Sequence, residues 1–216
     1  MKLYGTYAFD EAFATTISTA LNASHSDKAS GHGYDKVFAH LFSGKTVDNF
    51  LEIGLFLNEL QNTDLNAWAS AFPSANIYGG DKKESQLFNS EKIRTHVVDQ
   101  EVAASFDALK AAFAVEFDVV LDDASHIYAN TVTTFEALFP AVKANGMYLI
   151  EDIQDAGAKA NDWQQTLVQL EAYMTAGGHT YEVFQSAVPG KVIDRETGEA
   201  TDIDRVSDSY ILCVYK

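Results

Sequence analysis

Residues 117–126 read Phe-Asp-Val-Val-Leu-Asp-Asp-Ala-Ser-His. A run of apolar, largely β-branched side chains, broken only by Asp118, ends in two carboxylates, a hydroxyl and an imidazole. This is the pattern of a buried strand that delivers polar groups at its carboxyl end. A second strand of the same kind, Gly146 to Ile150, ends in Glu151-Asp152. In an open parallel sheet, ligands bind in the crevice outside the strand carboxyl ends, where loops and helix N-termini converge. The two strands side by side put Asp122, Asp123, Glu151, Asp152 and His126 at one sheet edge. Crowded carboxylates repel one another unless something positive lies between them, and a hard divalent cation meets that need.

The rest of the chain alternates in the same rhythm. Phe9 to Ala23 carries Phe9, Ala12, Phe13, Ile17, Ala20 and Leu21 at helical spacing. Ser26 to Tyr34, with Gly31 and Gly33, is rich in turn formers and reads as a loop, either folding over a ligand or simply joining helices. A helix over Asp35–Phe42 precedes a strand over Val47–Gly54. Its closing glycine suits a close backbone approach, although Leu55, Phe56, Leu57 and Asn58 follow instead of further glycines.

A helix over Asn58–Phe72 is closed by Pro73, and Asn76–Asp81 is a strand ending in an acid placed to accept hydrogen bonds from a ribose, or to cap a turn. A strand over Ile93–Val98 ends at Asp99-Gln100, and a helix over Ala103–Phe113 leads back to residue 117. Helices over Asn130–Val142 and Ala158–Ala176, the latter containing Trp163, flank the Gly146 strand. Strands over Thr180–Ala187 and Ser209–Tyr215 close the chain around the polar stretch Asp194–Glu199, and two strands without a helix between them pair antiparallel. The expected fold class is therefore α/β, a doubly wound Rossmann-like sheet, mostly parallel with an antiparallel C-terminal hairpin strand. The expected organisation is one domain over residues 1–216, with N-terminal helices and a lid segment in 1–45 and the core in 46–216.

Composition narrows the function. A length of 216 residues with 47% hydrophobic content is enough for one core. The net charge of -16 opposes binding to a phosphate backbone, so no nucleic-acid partner is expected. The single cysteine, Cys213, fits a core thiol in a reducing compartment, and no apolar stretch approaches membrane-spanning length. A cytoplasmic protein without membrane association is expected, and a homo-oligomer is left open.

The motifs Asp27-Lys28 with His32-Gly33-Tyr34, Leu51-Glu52-Ile53-Gly54, Asp122-Asp123-x-Ser125-His126 and Ile150-Glu151-Asp152-x-Gln154 occur in that order. Together with the alternation they resemble the class I S-adenosylmethionine-dependent methyltransferases. In that order and spacing they look like the metal-dependent sugar O-methyltransferases of macrolide biosynthesis, of the mycinamicin and tylosin type, and their cephalosporin hydroxylase-like relatives. The resemblance covers residues 25 to 155. It implies that Asp123, Glu151 and Asp152 hold Mg²⁺ and that His126 is the general base. It implies that Glu52 and Gly54 lie against the methionine part of S-adenosylmethionine, with Asp122 also on the cofactor side. Asp81 would hold the ribose, Asp99 and Gln100 would border the adenine, and Lys28 and Tyr34 would belong to the lid. The acceptor would be a small molecule, a sugar or other vicinal diol.

The chemistry fits these residue types. A cation bound by Asp123, Glu151 and Asp152 can orient adjacent hydroxyls and acidify one of them, while His126 accepts a proton near neutral pH. Blander readings stand beside it. Asp123 and Ser125 can cap the next helix, Glu151-Asp152 can be solvated loop acids, and His126 can be a cap or a supporting residue. Two other functions compete: a non-catalytic S-adenosylmethionine-binding relative, suggested by the loop after Gly54, and a non-haem iron oxygenase, suggested by the His25-Ser26-Asp27 pair.

Overall fold

The computed structural model describes residues 2–3, 7–55, 64–154, 164–185, 191–193, 200–202 and 210–216. Among the described residues, eight strands form the main sheet: β1 (Lys2–Leu3), β2 (Asn49–Ile53), β3 (Asn76–Asp81), β4 (Ile93–Val97), β5 (Phe117–Asp122), β6 (Val142–Ile153), β7 (Thr180–Gln185) and β10 (Tyr210–Tyr215). Their order is β1-β7-β10-β6-β5-β2-β3-β4. Strands β2 to β6 are mutually parallel, and β10 lies antiparallel between β7 and β6. This is the expected doubly wound sheet with a reversed terminal strand. Two strand pairings were not foreseen: β1 running parallel with β7, and a short antiparallel pair, β8 (Lys191–Ile193) with β9 (Ala200–Asp202), inside the terminal connection.

Helices α1 (Glu11–Ala23), α3 (Asp35–Phe42) and α4 (Asp64–Ala71) cover one face of the sheet. Their core contains Ile17, Phe38, Trp68, Phe50 and Leu121. Helices α5 (Ala103–Phe113), α6 (Tyr128–Leu138) and α7 (Leu167–Ala176) cover the other, around Phe106, Phe135, Leu170, Tyr148 and Leu212. Because strand side chains alternate, Phe50 and Glu52 face the first layer while Leu51 and Ile53 face the second. A charged group is thus built into the first core. The lone cysteine, Cys213, is buried in that core as well. No helix among the described residues is long and apolar enough to cross a membrane.

Several boundaries differ for local reasons. α1 starts at Glu11, not Phe9, because Asp10 accepts from the backbone N–H groups of Ala12 and Phe13. α6 ends at Leu138, where Pro140 turns the chain into a 3₁₀ turn, and Val142 already belongs to β6. β6 is accordingly longer than Gly146–Ile150. α7 begins at Leu167, where Thr166 and Gln169 form a capping box, so residues 164–166 are not helical as the Ala158–Ala176 reading required. Trp163, residues 56–63 at the start of the Asn58 helix, and the Asp194–Glu199 stretch lie outside the described residues.

The segment Ser26–Tyr34 is not a plain loop. Asp27–Ser30 forms a short helix, α2, whose N-cap Ser26 accepts from the Lys28 N–H. Lys28 is 1% exposed and Tyr34 is fully buried. A turn-rich composition concealed a segment pinned into the interior.

Candidate active site

The carboxyl ends of β2, β3, β5 and β6, with the segment before α3, enclose a cavity of about 540 Å³. Three features of the backbone shape it. Gly54 has φ +92°, and a Cβ there would lie 2.2 Å from the Asp123 carbonyl oxygen and 2.5 Å from Ala124 Cα. The glycine therefore lets the turn after β5 close against the turn after β2. His126 and Asp152 also have positive φ, 54° and 52°, a conformation side chains adopt uncommonly and at some cost. Finally, the register between β6 and β10 slips. Tyr210 opposes Ile153 and Leu212 opposes Ile150, so β6 carries one extra residue at Glu151-Asp152. This bulge breaks the alternation and re-aims the two acids.

Their contacts show the result. The Tyr34 hydroxyl donates to Asp152 Oδ1 at 2.8 Å, and His126 Nε2 stands 3.8 Å from both Asp152 Oδ2 and Asp123 Oδ1. Asp123, His126 and Asp152 each offer a ligand atom within 4.8 Å of the others. Glu151 is buried, with Oε2 accepting from Lys28 Nζ at 2.6 Å and Oε1 without a hydrogen-bond partner. The same ammonium is hydrogen-bonded to Asp123 Oδ2 and lies 3.4 Å from Glu52 Oε1 and from Asp64 Oδ2.

One ammonium among this many carboxylates leaves the cluster short of positive charge. Burial first, and then the neighbouring acids, push the carboxyls of Glu52 and Glu151 well above the usual range, and Asp123 shifts the same way. Burial works against the Lys28 ammonium, yet Asp123, Glu151, Asp64 and Glu52 together hold its pKa well above that of an ordinary lysine.

The cavity wall includes Lys28, Asp123, His126, Glu151 and Asp152, and also Gly54, Asp81, Asp99 and Gln100. Asp81 accepts from the backbone N–H groups of Leu55 at 2.8 Å and Lys83 at 2.7 Å, and Lys82 reaches Asp99 at 3.1 Å. Glu52 and Asp122, expected on the cofactor side, and Tyr34, expected in the lid, do not line the cavity but support its wall. Glu52 accepts from the Trp68 indole N–H at 2.9 Å. Asp122 accepts from Gln100 Nε2 at 3.0 Å and from the Tyr148 hydroxyl at 3.3 Å, and burial pushes its carboxyl up to about 7. Tyr34 holds Asp152.

Ser125 is not the N-cap of α6, a position held by Ile127; its hydroxyl accepts from the Ile127 N–H and from Asn130 Nδ2. Lys28 lies beside the acids as part of the wall, rather than over the site as a lid. His25 and Asp27 also line the cavity, but the groups of convergent ligand atoms among the described residues are Asp123-His126-Asp152 and Glu52-Asp64-Asp123, and neither contains that pair.

Sequence reasoning missed Asp64 and Trp68. An acid in the first turn of a helix is ordinary charge placement, and a tryptophan in an apolar stripe reads as core, so neither carried a distinguishing signal.

Known proteins resemble the chain in both sequence and fold. The chain is 41% identical over 92 residues to mycinamicin VI 2''-O-methyltransferase of Micromonospora griseorubida, which covers 43% of the chain and 23% of that relative. It is 30% identical over 140 residues to 8-demethyl-8-alpha-L-rhamnosyl tetracenomycin-C 2'-O-methyltransferase of Streptomyces olivaceus, covering 62% and 37%. The chain is a homologue of sugar O-methyltransferases.

Its fold is that of the class I methyltransferases. The structure of the MycE methyltransferase of the mycinamycin biosynthetic pathway, in complex with Mg, SAH and mycinamycin VI, superposes with a TM-score of 0.63 at 29% identity, covering 74% of this chain and 47% of MycE. The O-methyltransferase from Bacillus cereus, at 12% identity, shares the fold with a TM-score of 0.56, covering 94% of this chain and 91% of that one. No family model matches the chain. The chain spans well under half the length of the curated sugar O-methyltransferases it matches.

Proposed function

We propose that the chain forms an S-adenosylmethionine-dependent O-methyltransferase site, dependent on Mg²⁺ and acting on a hydroxyl of a sugar or other vicinal diol of a small molecule. The observation that carries this reading is the convergence of ligand atoms of Asp123, Asp152 and His126 within 4.8 Å of one another in the wall of the cavity, where Glu151 also has a buried oxygen without a hydrogen-bond partner.

The donor set fits the metal. Carboxylate oxygens suit a hard cation, the cluster is short of positive charge, and an orphaned buried oxygen is costly unless a cation or donor meets it. Asp123, Glu151 and Asp152 would hold the ion, which when bound supplies Lewis acidity to a coordinated hydroxyl. His126, 21% exposed and between two carboxylates, can take the proton that the hydroxyl loses at Nε2.

The remaining lining residues suit the cofactor, which supplies the methyl group. Two of the four lone-pair directions of the Asp81 carboxylate go to Leu55 and Lys83 N–H groups, leaving acceptor capacity for a ribose diol. Gly54 leaves the turn after β2 without a side chain, and Asp99 and Gln100 also line the cavity.

The test is methyl transfer from labelled S-adenosylmethionine to a panel of glycosides with vicinal hydroxyls, with and without Mg²⁺. His126→Ala is expected to lower turnover by at least about 100-fold, the usual contribution of a positioned base, while calorimetric cofactor binding stays within a few-fold. Cofactor binding without turnover on any acceptor, in the unaltered protein, would favour a non-catalytic binding protein instead.

A further inference from the structure

The cation reading above leaves Lys28 unexplained. Its ammonium is 1% exposed and faces four carboxylates, Glu52, Asp64, Asp123 and Glu151. Burying an ammonium is expensive unless opposite charges and hydrogen bonds offset the loss of water. The contacts divide the oxygens unevenly. Lys28 takes Oδ2 of Asp123 and Oε2 of Glu151. Asp123 Oδ1 is left on the His126 side, 3.8 Å from Nε2, and Glu151 Oε1 is left without a hydrogen-bond partner.

We infer that Lys28 is a positioning residue for the cation seat: by clamping one oxygen of Asp123 and one of Glu151, it fixes both carboxylates so that their second oxygens can serve the ion. Without the clamp, the two acids repel each other and rotate apart, and binding a cation must then reorder them. A seat whose ligands are held before the ion arrives avoids that cost. α2 and its Ser26 cap, together with Tyr34 six residues on from Lys28, anchor the segment that carries the ammonium.

The direction of one measurement separates this role from a merely electrostatic one. Deleting a positive charge beside the seat should, by Coulomb's law alone, tighten cation binding. Loss of positioning should weaken it. The full chain, without cofactor or acceptor, is titrated with Mn²⁺ and free ion is followed by electron paramagnetic resonance. Lys28→Met is expected to bind Mn²⁺ at least ten-fold more weakly than the unaltered protein, and Lys28→Arg to recover part of the loss. Unchanged or tighter binding in folded Lys28→Met overturns the inference and leaves the cation reading standing. Absence of Mn²⁺ binding in the unaltered protein overturns both.

A second measurement uses the unaltered protein and decides the matter even where Lys28→Met does not fold. Amine acylation mapped by mass spectrometry should leave Lys28 protected with and without saturating Mn²⁺, while Lys82, 60% exposed, is labelled in both. Lys28 becoming reactive when Mn²⁺ is added would mean that the ion displaces the ammonium, and the positioning role would fall.

Discussion

At the scale of single residues, Gly54 shows what a motif position can and cannot say. A glycine closing a buried strand signals that something approaches the backbone closely, and the sequence suggests a ligand. In the structure the nearest neighbour is the chain itself, the Asp123 carbonyl and Ala124 Cα. Gly54→Ala therefore meets both a strained φ of +92° and a backbone clash at 2.2 Å that no side-chain rotation relieves. The expected cost is on the order of 3 kcal/mol, combining left-handed strain with overpacking. It should appear as a lower urea midpoint, and displacement of Asp123 should weaken Mn²⁺ binding too. An unaltered midpoint would show that the two turns do not pack as described. Glu52 teaches the complementary lesson: its buried position follows from strand alternation, but its partners Trp68 and Lys28 come from distant elements. Long-range partners of that kind leave no local trace in a sequence.

At the scale of elements, the end of β5 ties three strands together through Asp122, which accepts from Gln100 after β4 and from Tyr148 on β6. Burial raises its carboxyl from 3.8 to about 7. A folded-state acid with a raised pKa keeps a proton that the unfolded chain has lost, so stability falls as pH rises between those two values. The slope from this group is about 1.4 kcal/mol per pH unit. Urea unfolding of cation-free protein between pH 4.5 and pH 7 should therefore show a shallower decline in Asp122→Asn than in the unaltered chain. Identical slopes would place the titration elsewhere. The strands themselves were legible, since β3, β5 and the parallel alternation follow from apolar runs that end in acids. The bulge at Glu151-Asp152 was not, because an extra residue is defined only against its partner β10, some sixty positions later. Nor was α2, whose turn-forming composition hides a lysine that long-range ion pairs hold inside. Of the expected site, the acids and His126 at the ends of β5 and β6 were read from their positions after strands. The retreat of Asp122, Glu52 and Tyr34 behind the wall required coordinates.

At the scale of the whole molecule, a net charge of -16 makes any cation stabilising to some degree, because mobile ions screen the self-repulsion of the folded chain. A site with converging ligands does something further: it binds the folded state alone, and mass action then adds RT ln(1 + [L]/Kd), about 2.7 kcal/mol at a hundred-fold excess over Kd. For a chain of this size that corresponds to a rise in Tm of roughly 5–10 °C. The two effects separate by valence and by mutation. Mg²⁺ should raise Tm well beyond NaCl at equal ionic strength, and Asp152→Asn should remove the excess while leaving the NaCl response intact. Asp152 is a suitable probe because it is 24% exposed and its Oδ1 accepts from Tyr34, a bond that asparagine can keep. Equal responses to the two salts would mean that the acids at the ends of β5 and β6 only repel, and that nothing in their arrangement selects a divalent ion. A selective response lost on one carboxylate-to-amide change would assign the excess to that small cluster, since the rest of the negative surface is untouched by the substitution.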